Sequence, residues 1–516
     1  MMESNKKNEF TEYIKKSKWA ILIITLFALA AFGQRIISRS FSIDVEIYIS
    51  NLNYNTVNWD WWTSLNRWGA VWLNKLLQPN SFLIFFTNLT TVITMIGYSI
   101  TFCFLFYKNI GDEYKEKFLR YQFIFPIIFI TNPIFAEQYN FIHQNLSVAL
   151  GILFIPLSLL MFEYADTIEN KIEKSLLYIF GICIVTVAFG VYQSIILVYI
   201  ATVVVCYLLK VLKDNDNSWK YLIKQIIIFG IIVIVYEIIT KLTGEKASYL
   251  QIVWFKDGIK ICLRNIYYVI KDTIKCAGMY YNVGYLLGGV SIIAMLISLI
   301  MKKKLKIGVV ISLIGIIMAP FYIMIITGVN QFYRTQFNYS FAVGIMLMLG
   351  IVFVQSDKKI IEIGKKIGLV LIIIVAYRQT YTTASLFNTA DIIFENDVKI
   401  AEKITDRIQS KDWYDENKEY KLIFIGTYEF EGMMEYQKGE IIGESFFTFG
   451  KEDSCGISGR GNLFFNILGY DFKMPTVEEY YAARNFVKEE QMKTWPNDEA
   501  IKLMDDDKIV VKLSNE

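Results

Sequence analysis

A single histidine, His143, serves the whole of this 516-residue chain. One imidazole cannot build a metal site alone, and no zinc-like or iron-like ligand spacing accompanies it. Cysteine is nearly as sparse. Of six thiols, Cys103, Cys183 and Cys206 fall inside apolar runs, where a thiol is simply a small core residue. Cys262 and Cys276 share a segment of helical periodicity. Fourteen helical residues put their backbones about 21 Å apart, beyond the roughly 7 Å that a disulfide tolerates. An excess of charge of one sign is also missing. Lysine and arginine total 52 against 49 acids, a net +3, so nothing points to nucleic acid. Nor is a cleavable leader evident. Lys15, Lys16 and Lys18 precede the first apolar run, but no A-x-A-like site follows it, which predicts an uncleaved first helix.

Apolar surface is what the chain has in abundance. Hydrophobic residues make up 54%, above the usual share of a soluble domain, and they cluster in runs such as IIIFGIIVIVY (226–236) and IGVVISLIGIIMAP (307–320). A membrane span needs about 20 mostly apolar residues. Such runs fall at 19–36, 81–107, 121–136, 143–163, 176–190, 194–209, 222–241, 282–301, 307–327, 338–354 and 367–383. The sequence therefore predicts a polytopic α-helical membrane protein with about eleven transmembrane helices over residues 1–383. From about 384 charged residues become dense. An amphipathic helix at 389–408, strands at 421–428 and 508–513, and a helix at 477–491 predict a soluble α/β domain over 384–516.

Alternate connections between the runs are basic. Residues 1–18, 108–120, 164–175, 210–224, 302–306 and 355–366 hold 23 Lys and Arg in 75 positions, whereas the intervening connections hold 10 in 106. The positive-inside rule places the first set, and the N-terminus, in the cytoplasm. An odd number of spans then puts the tail domain outside.

The outer connections carry the residues suited to chemistry. Asp44 and Glu46 follow the first span; a carboxylate in the low dielectric of a membrane surface has a raised pKa and suits proton transfer near neutrality. Solvated loop acids are the plainer reading. Farther along the same loop Trp61, Leu65, Trp68, Trp72 and Leu76 form one stripe of an expected interfacial helix, which would carry Arg67 over the bundle. Glu137 follows the helix-breaking Pro133. Tyr192 and Gln193, in the turn GVYQS (190–194), offer stacking and hydrogen bonding to a sugar, or merely complete the turn. The fourth outer loop has an apolar stripe (Ile252, Phe255, Ile259, Cys262, Ile266, Ile270) and a basic one (Lys256, Lys260, Arg264), as in a helix lying among phosphate headgroups. Arg334 is the lone charge of the fifth outer loop and Arg378 lies near the end of the last span. Both fit a phosphate, and snorkelling explains Arg334 as well.

In their order along the chain these features resemble the bacterial glucosyltransferase type II family, a branch of the GT-C membrane glycosyltransferases. The acid Asp44, the N-R-W-G segment (Asn66–Gly69), the P-x-x-x-E element (Pro133–Glu137), the G-x-Y-Q turn (Gly190–Gln193), the late arginine Arg334 and the outer tail carry the likeness. Asn66 stands where the family pattern has glycine, and Asp44-Val45-Glu46 replaces a double-acid form. The resemblance implies transfer of glucose from a polyprenyl-phosphate donor to a surface glycan at the bacterial plasma membrane. Asp44 or Glu46 would be the base, and Arg67, Glu137, Tyr192, Gln193, Arg334 and Arg378 would bind substrate. No cofactor is required by the sequence. The D-x-E pair has the hard oxygens that Mg²⁺ or Mn²⁺ prefers, but two carboxylates are too few to demand a metal. A flippase for lipid-linked sugars, a polysaccharide polymerase and a sensory scaffold are the alternatives. A flippase would place charges at mid-membrane depth, whereas here the acids collect at one face.

Overall fold

The computed structural model describes residues 2–49, 59–78, 83–213, 218–243, 252–354, 359–430, 437–450 and 455–515. The 50–58 part of the first long loop, and the segments 214–217 and 355–358 of two of the lysine-rich connections, lie outside them. Among the described residues eight helices are long and apolar enough to cross a membrane: Lys18–Ile37, Ile84–Asn109, Ile142–Ala165, Lys171–Val191, Ile195–Lys213, Ser218–Thr243, Gly284–Met301 and the two-part Ile307–Thr327. The last is interrupted by a 3-10 turn at Ala319–Phe321, where Pro320 cannot continue the ladder.

The other three expected spans take different forms. Residues 121–136 are not one helix. They divide among Asp112–Tyr121, Ile124–Ile130 and Pro133–Asn140. The Asn132 side chain accepts from the Ile134 amide at 3.1 Å, and Pro133 opens the next helix at a position where its missing N–H costs nothing. Phe337–Phe353 is a helix of 17 residues that is buried along its whole length, a central post walled in by its neighbours. The run 367–383 lies inside a helix of 51 residues, Lys359–Gln409. The expected helix at 389–408 is therefore a continuation of the last span rather than a separate element. No glycine or proline occurs between 369 and 409 to stop it, and one face stays buried throughout, from Thr383 and Leu386 to Ile400, Ile404 and Ile408.

The two amphipathic stripes are also revised. The tryptophan segment breaks into Asp60–Ser64 and Trp68–Leu77, because Asn66 adopts φ 62°, the left-handed region. Trp68 is fully buried rather than interfacial, while Trp61 and Trp72 are exposed. The basic stripe is split as well, since its helix is Ile259–Lys275 and Lys256 precedes the break at Gly258.

The tail forms a four-stranded sheet of order β2-β1-β4-β3. The strands are β1 (Tyr420–Ile425), β2 (Phe472–Lys473), β3 (Ile501–Met504) and β4 (Lys508–Lys512). β1 runs parallel to β2 and β4, and β3 is antiparallel to β4. Leu422 to Ile425 are all buried, as a central parallel strand covered on both faces requires. On one face Leu422, Phe424 and Val511 pack with Phe464, Phe465 and Ile404 of the long helix. On the other, Ile423, Ile425 and Val510 pack with Tyr480, Ala483 and Val487. Phe41, Ile43 and Val45 join the first cluster, so the loop after the first span is built into the core of the tail domain.

Candidate functional site

The loop 38–46 is held before any acid is placed. Arg35, buried at the end of the first span, donates to the Ser40 carbonyl (3.1 Å), the Ser40 hydroxyl (3.2 Å) and the Asn140 carbonyl (2.8 Å). Asp391 of the long helix accepts from the hydroxyls of Ser38 and Ser40, each at 2.5 Å. Beyond these anchors Asp44 turns the chain with φ 74°, and Glu46 opens a single helical turn, Glu46–Ile49.

Both carboxylates face one guanidinium. Arg460 Nη2 lies 2.6 Å from Asp44 and Nη1 lies 2.8 Å from Glu46, a forked arrangement that arginine can make and lysine cannot. The two acids differ in surroundings. The Asp44 side chain is 45% exposed and that of Glu46 is 0% exposed. Burial pushes Glu46 up to about 7, against the opposing pull of Arg460. Its Oε2 is buried with no hydrogen-bond partner. Among the described residues no three His, Cys, Asp or Glu side chains gather as a metal site, and the place between the D-x-E carboxylates is taken by Arg460.

Next to this pair stands an aromatic wall. Tyr48 stacks on His143 with ring centroids 4.5 Å apart, and the edge of Trp62 meets His143 at 5.0 Å. Arg67 lies over Tyr192 at 4.7 Å and over Trp62 at 5.4 Å, and it donates to Gln144 at 3.3 Å. The N-R-W-G and G-x-Y-Q segments interlock. Gln193 donates to the Leu65 carbonyl at 2.8 Å, Trp68 donates to Thr240 at 3.1 Å, and a Cβ on Gly190 would stand 2.6 Å from the Trp68 ring. Glycine at 190 is what admits the indole.

Glu137 belongs to a second cluster. It is fully buried in Pro133–Asn140 and accepts from the Tyr280 hydroxyl and the Glu440 amide. The amides of Ile441 and Ile442 donate to it at 3.2 and 3.3 Å. Burial still holds its pKa above the usual carboxylate range, although all four donors pull the other way. Arg334 is not a lone charge in the fold: its Nη1 lies 4.0 Å from Glu440, and its guanidinium covers Phe332 at 4.4 Å and Phe141 at 5.4 Å. Phe141 also meets His143 at 6.0 Å, so this ring links the two clusters.

Arg378 stands apart from both. It is exposed and lines a cavity of about 230 Å³ with Tyr280, Tyr281, Asn282, Gln379 and Thr382. Through Tyr280 that cavity touches the Glu137 cluster. All eight residues singled out in the sequence thus occupy one end of the bundle, and the tail domain packs on that same end.

The family model for glucosyl transferase GtrII matches residues 36–355, well over half of the chain. The chain belongs to the GtrII glucosyl transferase family. It is accordingly a membrane glycosyltransferase. No curated protein and no solved structure gave a match.

The GtrII region contains Asp44, Glu46, Arg67, Glu137, Tyr192, Gln193 and Arg334, while Arg378, Glu440 and Arg460 lie beyond it. Sequence reasoning missed Tyr48, His143, Tyr280, Glu440 and Arg460. A glycine-flanked arginine, Gly459-Arg460-Gly461, was the one local signal for the most important of them. His143 cannot build a metal site alone, but here it serves as an aromatic plate.

Proposed function

We propose that this GtrII-family chain transfers a glucosyl residue from a polyprenyl-phosphate carrier to a surface glycan on the outer face of the bacterial plasma membrane. The observation that carries the reading is the convergence of Asp44, Glu46 and Arg460 at one mouth of an apolar bundle. That mouth is opposite the connections richest in lysine and arginine, which supports an extracytoplasmic site and tail.

The anomeric carbon of such a donor already bears its leaving group. The protein must take a proton from the acceptor hydroxyl and stabilise the departing phosphate. Asp44, the exposed member of the pair, acts as base. The acceptor oxygen forms its bond to the anomeric carbon as the bond from that carbon to the phosphate oxygen breaks, and the polyprenyl phosphate leaves. A direct displacement inverts the anomeric centre. Arg460 keeps Asp44 aimed, Glu46 fixes Arg460 from the buried side, and the Tyr48, His143, Trp62 and Tyr192 rings offer a stacking wall for sugar. Arg378, thirteen residues or about 20 Å along the long helix from the Asp391 that anchors the 38–46 loop, takes no part in this step. Arg334 stands behind Glu440 and holds the tail loop over Glu137. We route no step through a divalent cation, since Arg460 occupies the place between the two carboxylates.

The test uses the full chain in nanodiscs with a radiolabelled polyprenyl-phosphate glucose and a cell-wall glycan fraction. Label should pass from lipid to glycan. Asp44→Asn should lower the rate by about 10²–10⁴-fold, the usual weight of a general base, with expression and melting unchanged. A fully active Asp44→Asn chain would remove Asp44 from the mechanism. Label that never leaves the lipid would end the transferase reading.

A further inference from the structure

The connection between the spans Ser218–Thr243 and Gly284–Met301 contains a helix that the proposed reaction does not use. Ile259–Lys275 has 17 residues and is about 25 Å long. Its segment is tied to span ends on both sides. Before the helix, the Val253 amide donates to the Thr327 carbonyl at 2.9 Å and the Trp254 indole to the Ile325 carbonyl at 3.0 Å, where Ile307–Thr327 closes. After it, Cys276 turns the chain with φ 54°, and the Asn282 side chain accepts from the Gly284 amide at 2.8 Å as the next span opens. A helix held in this way lies along the membrane surface instead of crossing it.

Its faces are sorted for that position. Cys262, Val269 and Thr273 are buried against the bundle. About a quarter-turn away run Ile259, Leu263, Ile270 and Ile274, and in each case the next residue is basic: Lys260, Arg264, Lys271 and Lys275. At about 100° per residue these form two adjacent rows, the apolar one beside the bundle and the cationic one directed away from it. Asp272, the one acid of the helix, falls opposite the apolar row. Among the described residues nothing covers that row: Ile259, Leu263 and Ile274 are 68%, 56% and 48% exposed. The exposed apolar surface continues onto Val283 and Leu286 at the head of one span and Ile325 and Ile326 at the end of the other. The helix also adjoins the site. Asn265 donates to the Gly328 carbonyl at 3.2 Å, at the start of the loop that carries Arg334, and Tyr280, just past the helix, donates to Glu137.

We infer that Ile259–Lys275 docks on anionic phospholipid of the surrounding bilayer, with its apolar row at the acyl boundary and its cationic row on the headgroup phosphates. The adjacency of the rows decides the occupant. A soluble partner would have to cover an apolar strip that is continuous with the ends of two spans, where lipid already stands. The inference goes beyond the transferase reading and holds whichever reaction the bundle performs.

The test places the full chain in nanodiscs of phosphatidylcholine, alone or mixed equally with phosphatidylglycerol, and follows hydrogen exchange of the 259–275 amides. No prenyl lipid is added. Four basic residues at an anionic surface should slow this exchange about tenfold or more in the mixed bilayer, while the tail helix Val477–Glu489 exchanges alike in both. Replacing Lys260, Arg264, Lys271 and Lys275 by Gln should remove the difference. Replacing Lys399, Lys403, Lys418 and Lys488 of the tail by Gln, an equal loss of charge, should leave it. Salt supplies a check that needs no substitution: at 1 M the screening length falls to about 3 Å, and the wild-type difference should vanish. Equal exchange in the two bilayers, or a difference that survives 1 M salt or the four helix substitutions, would overturn the inference. Loss of the difference in the tail variant would trace it to net charge and overturn it as well.

Discussion

Replacing Glu46 by Gln tests the electrostatics of the site. Burial raises this carboxyl from 4.5 to about 7. Because the folded-state value lies above the unfolded one, folding favours the protonated form. The stability this provides is complete below pH 4.5 and is lost as the pH rises through 7. At 1.36 kcal/mol per pH unit, the loss is about 3 kcal/mol. Glutamine keeps the size of the side chain and an oxygen for Arg460 but does not ionise. The stability of Glu46→Gln relative to the wild type should therefore improve by about 3 kcal/mol between pH 4.5 and 8. For a chain of 516 residues that amounts to about 3 °C of melting temperature. Parallel thermal melts in nanodiscs across this range measure the difference. Difference infrared spectra should show a carboxylic-acid stretch that disappears near pH 7 and is missing from the variant. A wild-type-to-variant gap that is flat with pH would refute the account of Glu46 as a buried, displaced acid.

Two further substitutions test how the tail domain serves the bundle. Arg460→Lys leaves one point charge where two forked contacts stood, so kcat should fall about tenfold while the apparent KM for donor lipid stays put; steady-state kinetics showing an unchanged kcat would rule out a positioning role. In Gly439→Ala the new Cβ would stand 2.0 Å from the Glu137 carboxylate and 2.5 Å from the Tyr280 hydroxyl, forcing the 440–442 amides off Glu137. Overpacking of this kind costs about 1–3 kcal/mol, which hydrogen exchange should register as opening about tenfold faster or more at Glu440, Ile441 and Ile442. Unaltered protection there would show that the amide contacts are not what seats the loop.

The apolar spans were legible because a window of about 20 residues carries its own signal. Breaks inside such a window were harder to see: Asn132-Pro133 interrupts an apolar run that reads as continuous, and its cap is one side chain. Helical spacing puts Trp68 at the interface, yet spacing cannot tell that Gly190, over a hundred residues on, leaves a slot for the ring. Asn66 is instructive in the opposite sense. It departs from the glycine of the family pattern, and the fold places it at φ 62°, a conformation asparagine tolerates better than most residues. The departure thus preserves the turn. At the site, the acids were visible as charges in otherwise apolar surroundings. Arg460 was not, because its partnership with Glu46 spans 414 positions and exists only once the tail domain has formed. The shift to a charged composition near 384 reads as the end of a helix, yet the helix continues to Gln409. A change of solvent alters which side chains are tolerated on the outer face and leaves the backbone ladder untouched.

That uninterrupted helix has a mechanical consequence. At 1.5 Å per residue its 51 residues extend about 75 Å, a single shaft rooted among the lipid-facing helices and ending inside the sheet domain. There is no swivel where the shaft leaves the apolar zone. The sheet domain cannot tip away like a cap on a string without bending the shaft or tearing Phe41, Ile43 and Val45 from its core.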